Sequence, residues 1–146
     1  MMEKNMSLNT IEELVHEYYW INDFNCATTA LKILSERFSV DLHQQTIDSA
    51  IGLHGAGEYG SQCGLVEGPL MFIGIIGRLN GMPDDLIINY CFIYAEEFEK
   101  KFGSLNCREL RPAGFHPDNP PHLCEELTVR TIKNAAAFIE KMISRK

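Results

Sequence analysis

Basic residues are scarce in this chain. Lys and Arg number 13 against 20 Asp and Glu, a formal charge of −7, and only Lys100-Lys101 and Arg145-Lys146 stand side by side. Nucleic-acid surfaces need a basic patch or stripe, so no nucleic-acid partner is expected. Long apolar runs are missing as well. The longest, Leu70 to Ile76, contains Gly74 and is followed by Gly77 and Arg78, far short of the roughly 20 residues of a membrane span. Met1 to Ser7 carries no apolar signal core. No membrane association is therefore expected, and the expected compartment is the cytoplasm, where thiols stay reduced. The sequence also lacks repeats, charge blocks and low-complexity runs. The expectation is one domain over residues 1–146, with 1–9 as a loose N-terminal segment. That length buries a core without disulfides.

What is present is helical periodicity. Ile11, Leu14, Val15, Tyr18 and Tyr19 make a stripe over 10–20. Ala27, Leu31, Leu34 and Phe38 mark a second helix from about Asn25 to Phe38, and a third is expected over His43 to Leu53. Ser61 to Asn80 is apolar but carries Gly64, Gly68, Gly74, Gly77 and Pro69. Each interior glycine costs a helix about 0.5–1 kcal/mol relative to Ala. Pro69 is expected to kink or restart the helix. A helix bearing these costs implies close backbone approach to another helix or to a bound group. Pro83 opens a helix to Phe102, which Gly103 ends. A short turn over Ser104 to Leu110 and a proline-rich loop over Pro112 to Pro121 precede a last helix from about Leu123 to Ser144. The fold class is all-α, with about six helices.

Cysteine is the unusual residue. There are five, an odd number that rules out complete internal pairing, and no Cys-x-x-Cys pair. Cys91 falls in the stripe of Ile87, Tyr94 and Phe98 and reads as a small buried hydrophobe. Cys26, Cys63, Cys107 and Cys124 fall instead at expected helix starts. Free N–H groups and the helix dipole there favour an anion, and the thiolate is the nucleophilic and ligating form of cysteine. Moving a thiol from a pKa of about 8.5 to 7 takes roughly 2 kcal/mol. A helix end supplies about 0.3–1 kcal/mol, and up to about 2 in partly buried geometry. One thiol can be ionised this way, whereas four converging thiolates repel each other. A metal ion or cluster removes the difficulty, because coordination deprotonates its ligands. The residues leave two readings: a shared Cys₄ site, or four unconnected thiols. Gaps of 37, 44 and 17 residues do not decide between them.

The order of these residues resembles a known family. Asn25-Cys26-Ala27 is followed by a glycine-rich loop and Cys63-Gly64-x-x-x-Gly68. Phe102-Gly103-Ser104-x-x-Cys107-Arg108-Glu109-Leu110 and Cys124 complete the pattern. Over about residues 22 to 140 this resembles the C_GCAxxG_C_C family of small redox-active prokaryotic proteins. The same domain is similar to the non-haem part of split-Soret cytochromes, where cysteines hold an iron–sulfur cluster. The resemblance implies an all-α domain with Cys26, Cys63, Cys107 and Cys124 as its redox-active centre, and Cys91 outside it. It makes a homodimer and an electron-transfer partner reasonable expectations. Leu65, Gln62, Glu67 and Pro69 depart from the family's pattern near Cys63. No haem-attachment Cys-x-x-Cys-His is present, so the cytochrome part does not transfer.

Gly55-Ala56-Gly57-Glu58-Tyr59-Gly60 matches the dinucleotide fingerprint letter for letter. A helix precedes it where that reading needs a strand. Its backbone amides are expected to face the sulfurs, with Gly57, Gly60 and Gly64 as the cofactor-facing positions. His122 and His54 are candidates for a substitute ligand or proton donor, against the plainer role of loop histidines. The leading expectation is a protein that binds an iron–sulfur cluster, [2Fe–2S], through the four cysteines, for electron transfer or redox sensing. The alternatives are a metal-free thiol–disulfide oxidoreductase using two of them and a structural zinc protein with the same ligands.

Overall fold

Thr10 begins the first helix. Its hydroxyl accepts from the Glu13 amide at 3.0 Å while Glu13 accepts from the Thr10 amide at 3.1 Å, a reciprocal cap that satisfies two free donors. The computed structural model describes residues 9–111 and 122–144. The expected loop at Pro112 to Pro121 and nearly all of the expected loose N-terminal segment lie outside them. Among the described residues there are eight helical segments: α1 (Ile11–Trp20), α2 (Cys26–Arg37), α3 (Gln44–Ser49), α4 (Gly55–Glu58), α5 (Gly64–Leu79), α6 (Asp84–Phe102), α7 (Cys107–Leu110) and α8 (Glu125–Ser144). They contain no β-strand, so the all-α class holds. The third helix is shorter than its apolar pattern implied and ends in turns at Ala50–His54. No helix among the described residues is long and apolar enough to cross a membrane.

α2 is the central helix. It buries Ala27, Thr29, Ala30, Leu31, Ile33 and Leu34, more than one face, because α1, α5 and α8 all pack around it. Its closest neighbour is α5. A Cβ on Gly68 would lie 2.6 Å from the Ala27 carbonyl oxygen and 3.1 Å from Ala30 Cβ. Gly64 and Gly68 therefore allow the close approach to α2 that their cost implied, whereas Gly77 abuts the Ile87 side chain of α6 and Gly74 meets no neighbour.

Pro69 does not break α5, which runs through it as one element. Gly68 and Pro69 are both buried in this seam. Packing there outweighs the roughly 3 kcal/mol that an interior proline costs. Leu65, Phe72 and Ile73 of α5 meet Tyr94 and Phe98 of α6 and Ile132 and Ile139 of α8 in one buried cluster. Gly103 ends α6 in the left-handed conformation at φ 98°.

Candidate functional site

Each of the four cysteines sits where a helix begins. Cys26 is the first residue of α2, after Asn25, whose side chain accepts from the Thr28 amide at 2.8 Å. The same side chain donates to the Ile51 carbonyl at 2.7 Å, tying the start of α2 to the end of α3. Cys63 is itself the N-cap of α5, and its sulfur accepts from the Leu65 amide at 3.4 Å. Cys107 opens α7. Cys124 lies in the turn ahead of α8, where the Thr128 amide and hydroxyl both donate to its carbonyl, at 2.7 and 2.8 Å.

Two of these starts are bound side by side. The Cys63 amide donates to the Leu105 carbonyl at 2.8 Å and the Cys107 amide to the Ser61 carbonyl at 2.7 Å, an antiparallel bridge between Gln62 and Asn106. The stretch Phe102 to Leu110 serves this bridge residue by residue. Gly103 turns the chain out of α6. The Ser104 hydroxyl accepts from the Asn106 amide at 3.0 Å and donates to Glu109. The Arg108 guanidinium donates to the Tyr59 carbonyl. Gly60 leaves room for it, since a Cβ there would lie 2.6 Å from Arg108 Nε.

Glycines also make room for sulfur. A Cβ on Gly64 would lie 2.4 Å from Cys26 Sγ, and one on Gly55 would lie 3.2 Å from Cys107 Sγ. Gly57 faces open space. The amides of Gly57 and Gly60 donate to the Gly52 and Gly55 carbonyls, at 2.9 and 3.0 Å. The glycine loop is not a loose turn. Gly55, Ala56, Gly57 and Glu58 all have positive φ, between 57° and 72°, a left-handed turn held against the chirality of its non-glycine residues.

The sulfurs share one electrostatic environment. The Cys63 thiol is pulled below its ordinary range first by its partner Cys26 and further by the backbone amides of Leu65 and Val66, against the opposing effect of burial. Cys26 is pushed well up, by its pairing with Cys63, by burial and by the charges of the other cysteines. Burial and then Cys63 push Cys107 up to about 11. The same two causes raise Cys124. One thiol of the four is thus lowered and its charge opposes ionisation of the rest, with the neighbouring Cys26 thiol contributing more than the helix start does.

Cys26, Cys107 and Cys124 line a cavity of about 660 Å³, while Cys63 lies almost closed off, at 2% exposure. Cys91 lies elsewhere, half-buried on α6 against the core and raised by burial alone. Among the described residues, no three His, Cys, Asp or Glu side chains are drawn together tightly enough to hold a metal ion.

The chain matches the family model described as "Putative redox-active protein (C_GCAxxG_C_C)" over residues 24–138. It belongs to the C_GCAxxG_C_C family. No curated protein and no solved structure matches it. Within this C_GCAxxG_C_C domain, Leu65 is fully buried in the core, so the departure beside Cys63 is absorbed by packing. Tyr19 and His122 complete the walls near the sulfurs. Tyr19 is 2% exposed, and its hydroxyl meets Thr128 Oγ1 at 2.6 Å. The His122 ring stacks on it at 4.7 Å. The sequence shows Tyr19 only as one apolar position of α1, because its partners lie more than a hundred residues away.

Proposed function

We propose that this redox-active family member holds an iron–sulfur cluster, [2Fe–2S], through Cys26, Cys63, Cys107 and Cys124, and serves electron transfer or redox sensing in a reducing cytoplasm. The observation that carries the reading is that Cys26, Cys107 and Cys124, each at a helix start, line one cavity, with Cys63 buried beside Cys26. The donor chemistry suits such a group, while among the described residues the four sulfurs are not drawn together tightly enough to ligate one metal ion as they stand. Gly64 and Gly55 let the sulfurs of Cys26 and Cys107 pack directly on the backbone, where a Cβ would collide with them. Four soft donors at helix starts suit iron or zinc with sulfur ligation. When bound, a cluster supplies one-electron chemistry. The protein's own part is to present thiols beside backbone amides, which offset negative sulfur charge, and to shield Cys63 from solvent. A separate protein would supply or take the electron.

A second reading has its own support. Cys26 and Cys63 form a pair with one thiol lowered and one raised, the polarity of a redox-active dithiol. Its weakness is access, because Cys63 is almost fully buried. Anaerobic purification followed by a visible spectrum and assays for iron, acid-labile sulfide and zinc separates the readings. Iron with sulfide and a bleachable visible band supports the cluster. Zinc without colour replaces it with a structural metal. A colourless, metal-free protein that forms a Cys26–Cys63 disulfide establishes the dithiol.

A further inference from the structure

We propose that residues 41–58 form a flap over the cysteines that opens as a unit, with the Asn25 side chain as its latch. Between residues 41 and 60 the buried residues are Ala50, Gly55 and Gly60. No side chain larger than a methyl group therefore anchors this stretch in the core. α3 buries no residue. Leu42 and Leu53 lean on the core from its edge, and Ile51 is 62% exposed. A segment with so little apolar burial opens locally, at a small part of the free energy of global unfolding.

The segment is also closed on itself. The amides of Ile47, Ala50, Leu53, Gly57 and Glu58 donate to the carbonyls of His43, Ile47, Ala50, Gly52 and His54, at 2.9 to 3.3 Å. It can swing without breaking these bonds. Asn25 Nδ2 ties its middle to the start of α2, donating to the Ala50 and Ile51 carbonyls at 3.3 and 2.7 Å. Two further ties, Arg108 on the Tyr59 carbonyl and the Ser61 amide on the Gly55 carbonyl, lie beside Gly60. That glycine, at φ 102°, suits a hinge. The left-handed turn at Ala56 and Glu58 stores strain that opening releases.

What the flap covers is sulfur. A Cβ on Gly55 would lie 3.0 Å from Cys107 Cβ, and the Leu53 carbonyl and Cys26 Sγ crowd the same side of Gly64. Ile47, Ile51 and His54 stand in the cavity wall with both cysteines. Cys107 is 8% exposed. Opening uncovers these thiols to an incoming reactant.

The flap's role rests on the reading of the cysteines as the redox centre, and the test separates the two. Hydrogen exchange, followed by mass spectrometry on the full chain as purified, reads the flap whatever the sulfurs hold. Amides of 44–58 are expected to exchange at least about tenfold faster than those in the middle of α2 and α5. Asn25→Asp keeps the oxygen that caps Thr28 and removes the donors to Ala50 and Ile51. It should speed exchange over 44–58 by about two- to tenfold, the range of a lost hydrogen bond, with α6 and α8 unchanged. After reduction and chelation, so that no metal shields the thiols, N-ethylmaleimide should label Cys26 and Cys107 faster in Asn25→Asp by a similar factor, and Cys91 at the same rate. Near-UV circular dichroism checks folding, and Asn25→Ser replaces Asn25→Asp if the latter is not folded. Exchange over 44–58 as slow as in α2, a rise spread equally over α6 and α8, or labelling indifferent to the faster flap overturns the proposal. A colourless, metal-free protein whose flap opens as described removes the cluster and leaves the flap standing.

Discussion

Gly64 stands 2.4 Å, in the position its Cβ would take, from the sulfur of Cys26, and 2.8 Å from the Ala27 amide nitrogen. One methyl group there must displace a cysteine and the first turn of α2 together. Gly64→Ala is expected to cost about 1–3 kcal/mol, the range for overpacking, and to alter any visible spectrum of the centre. Urea denaturation and absorbance measure both. Gly57→Ala meets no neighbour and should leave the spectrum unchanged.

Glu67, one turn after Cys63, has its carboxyl raised above the ordinary range by burial, partly offset by Gln62. The folded state therefore binds this proton more tightly than the unfolded state, and the group costs stability once both forms are ionised. Glu67→Gln is expected to stabilise the protein at about pH 7. That advantage should vanish below about pH 4, where the carboxyl is protonated in both states. Denaturation curves at the two pH values test the sign.

At the scale of elements, the helices were legible and their joints were not. The stripes of α1, α2, α6 and α8 follow the 3.6-residue period, and the helix starts at Asn25-Cys26 and Ser104 to Cys107 carry recognisable cap residues. The bridge between Gln62 and Asn106 joins positions 44 apart and leaves no local signal. Pro69 argued for a break that the seam between α2 and α5 overrides. The left-handed turn α4 was hidden because Ala56 and Glu58 give no sign of positive φ. Each such residue costs about 1–2 kcal/mol relative to a right-handed turn. Ala56→Gly is therefore expected to stabilise the domain by about 0.5–1 kcal/mol after the entropy cost of glycine, measured as a shift in the urea midpoint. Tyr19 links α1 to α8 through Thr128, whose hydroxyl also bonds the Cys124 carbonyl. Tyr19→Phe should cost about 0.5–1.5 kcal/mol, a typical buried hydrogen bond, without abolishing folding.

At the scale of the whole molecule, the four cysteines are the starts of α2, α5 and α7 and the turn before α8. Anything that ligates them all binds four separate parts of the chain into one unit. Ligand binding to the folded state alone adds stability by mass action, so stripping the centre with a chelator should lower the melting temperature. Cys91, half-buried on α6 and outside the group, gives the internal control. The net charge of −7 and the absence of a membrane-crossing helix among the described residues bear on the setting of such a centre, not on its chemistry. The most direct measurement is metal and sulfide analysis with a visible spectrum, made anaerobically on the full chain and on single Cys→Ser variants. The account predicts iron and acid-labile sulfide in equal amounts, lost from the Cys26, Cys63, Cys107 and Cys124 variants and kept in the Cys91 variant. A colourless protein without iron, or a chromophore indifferent to those four residues, would contradict it.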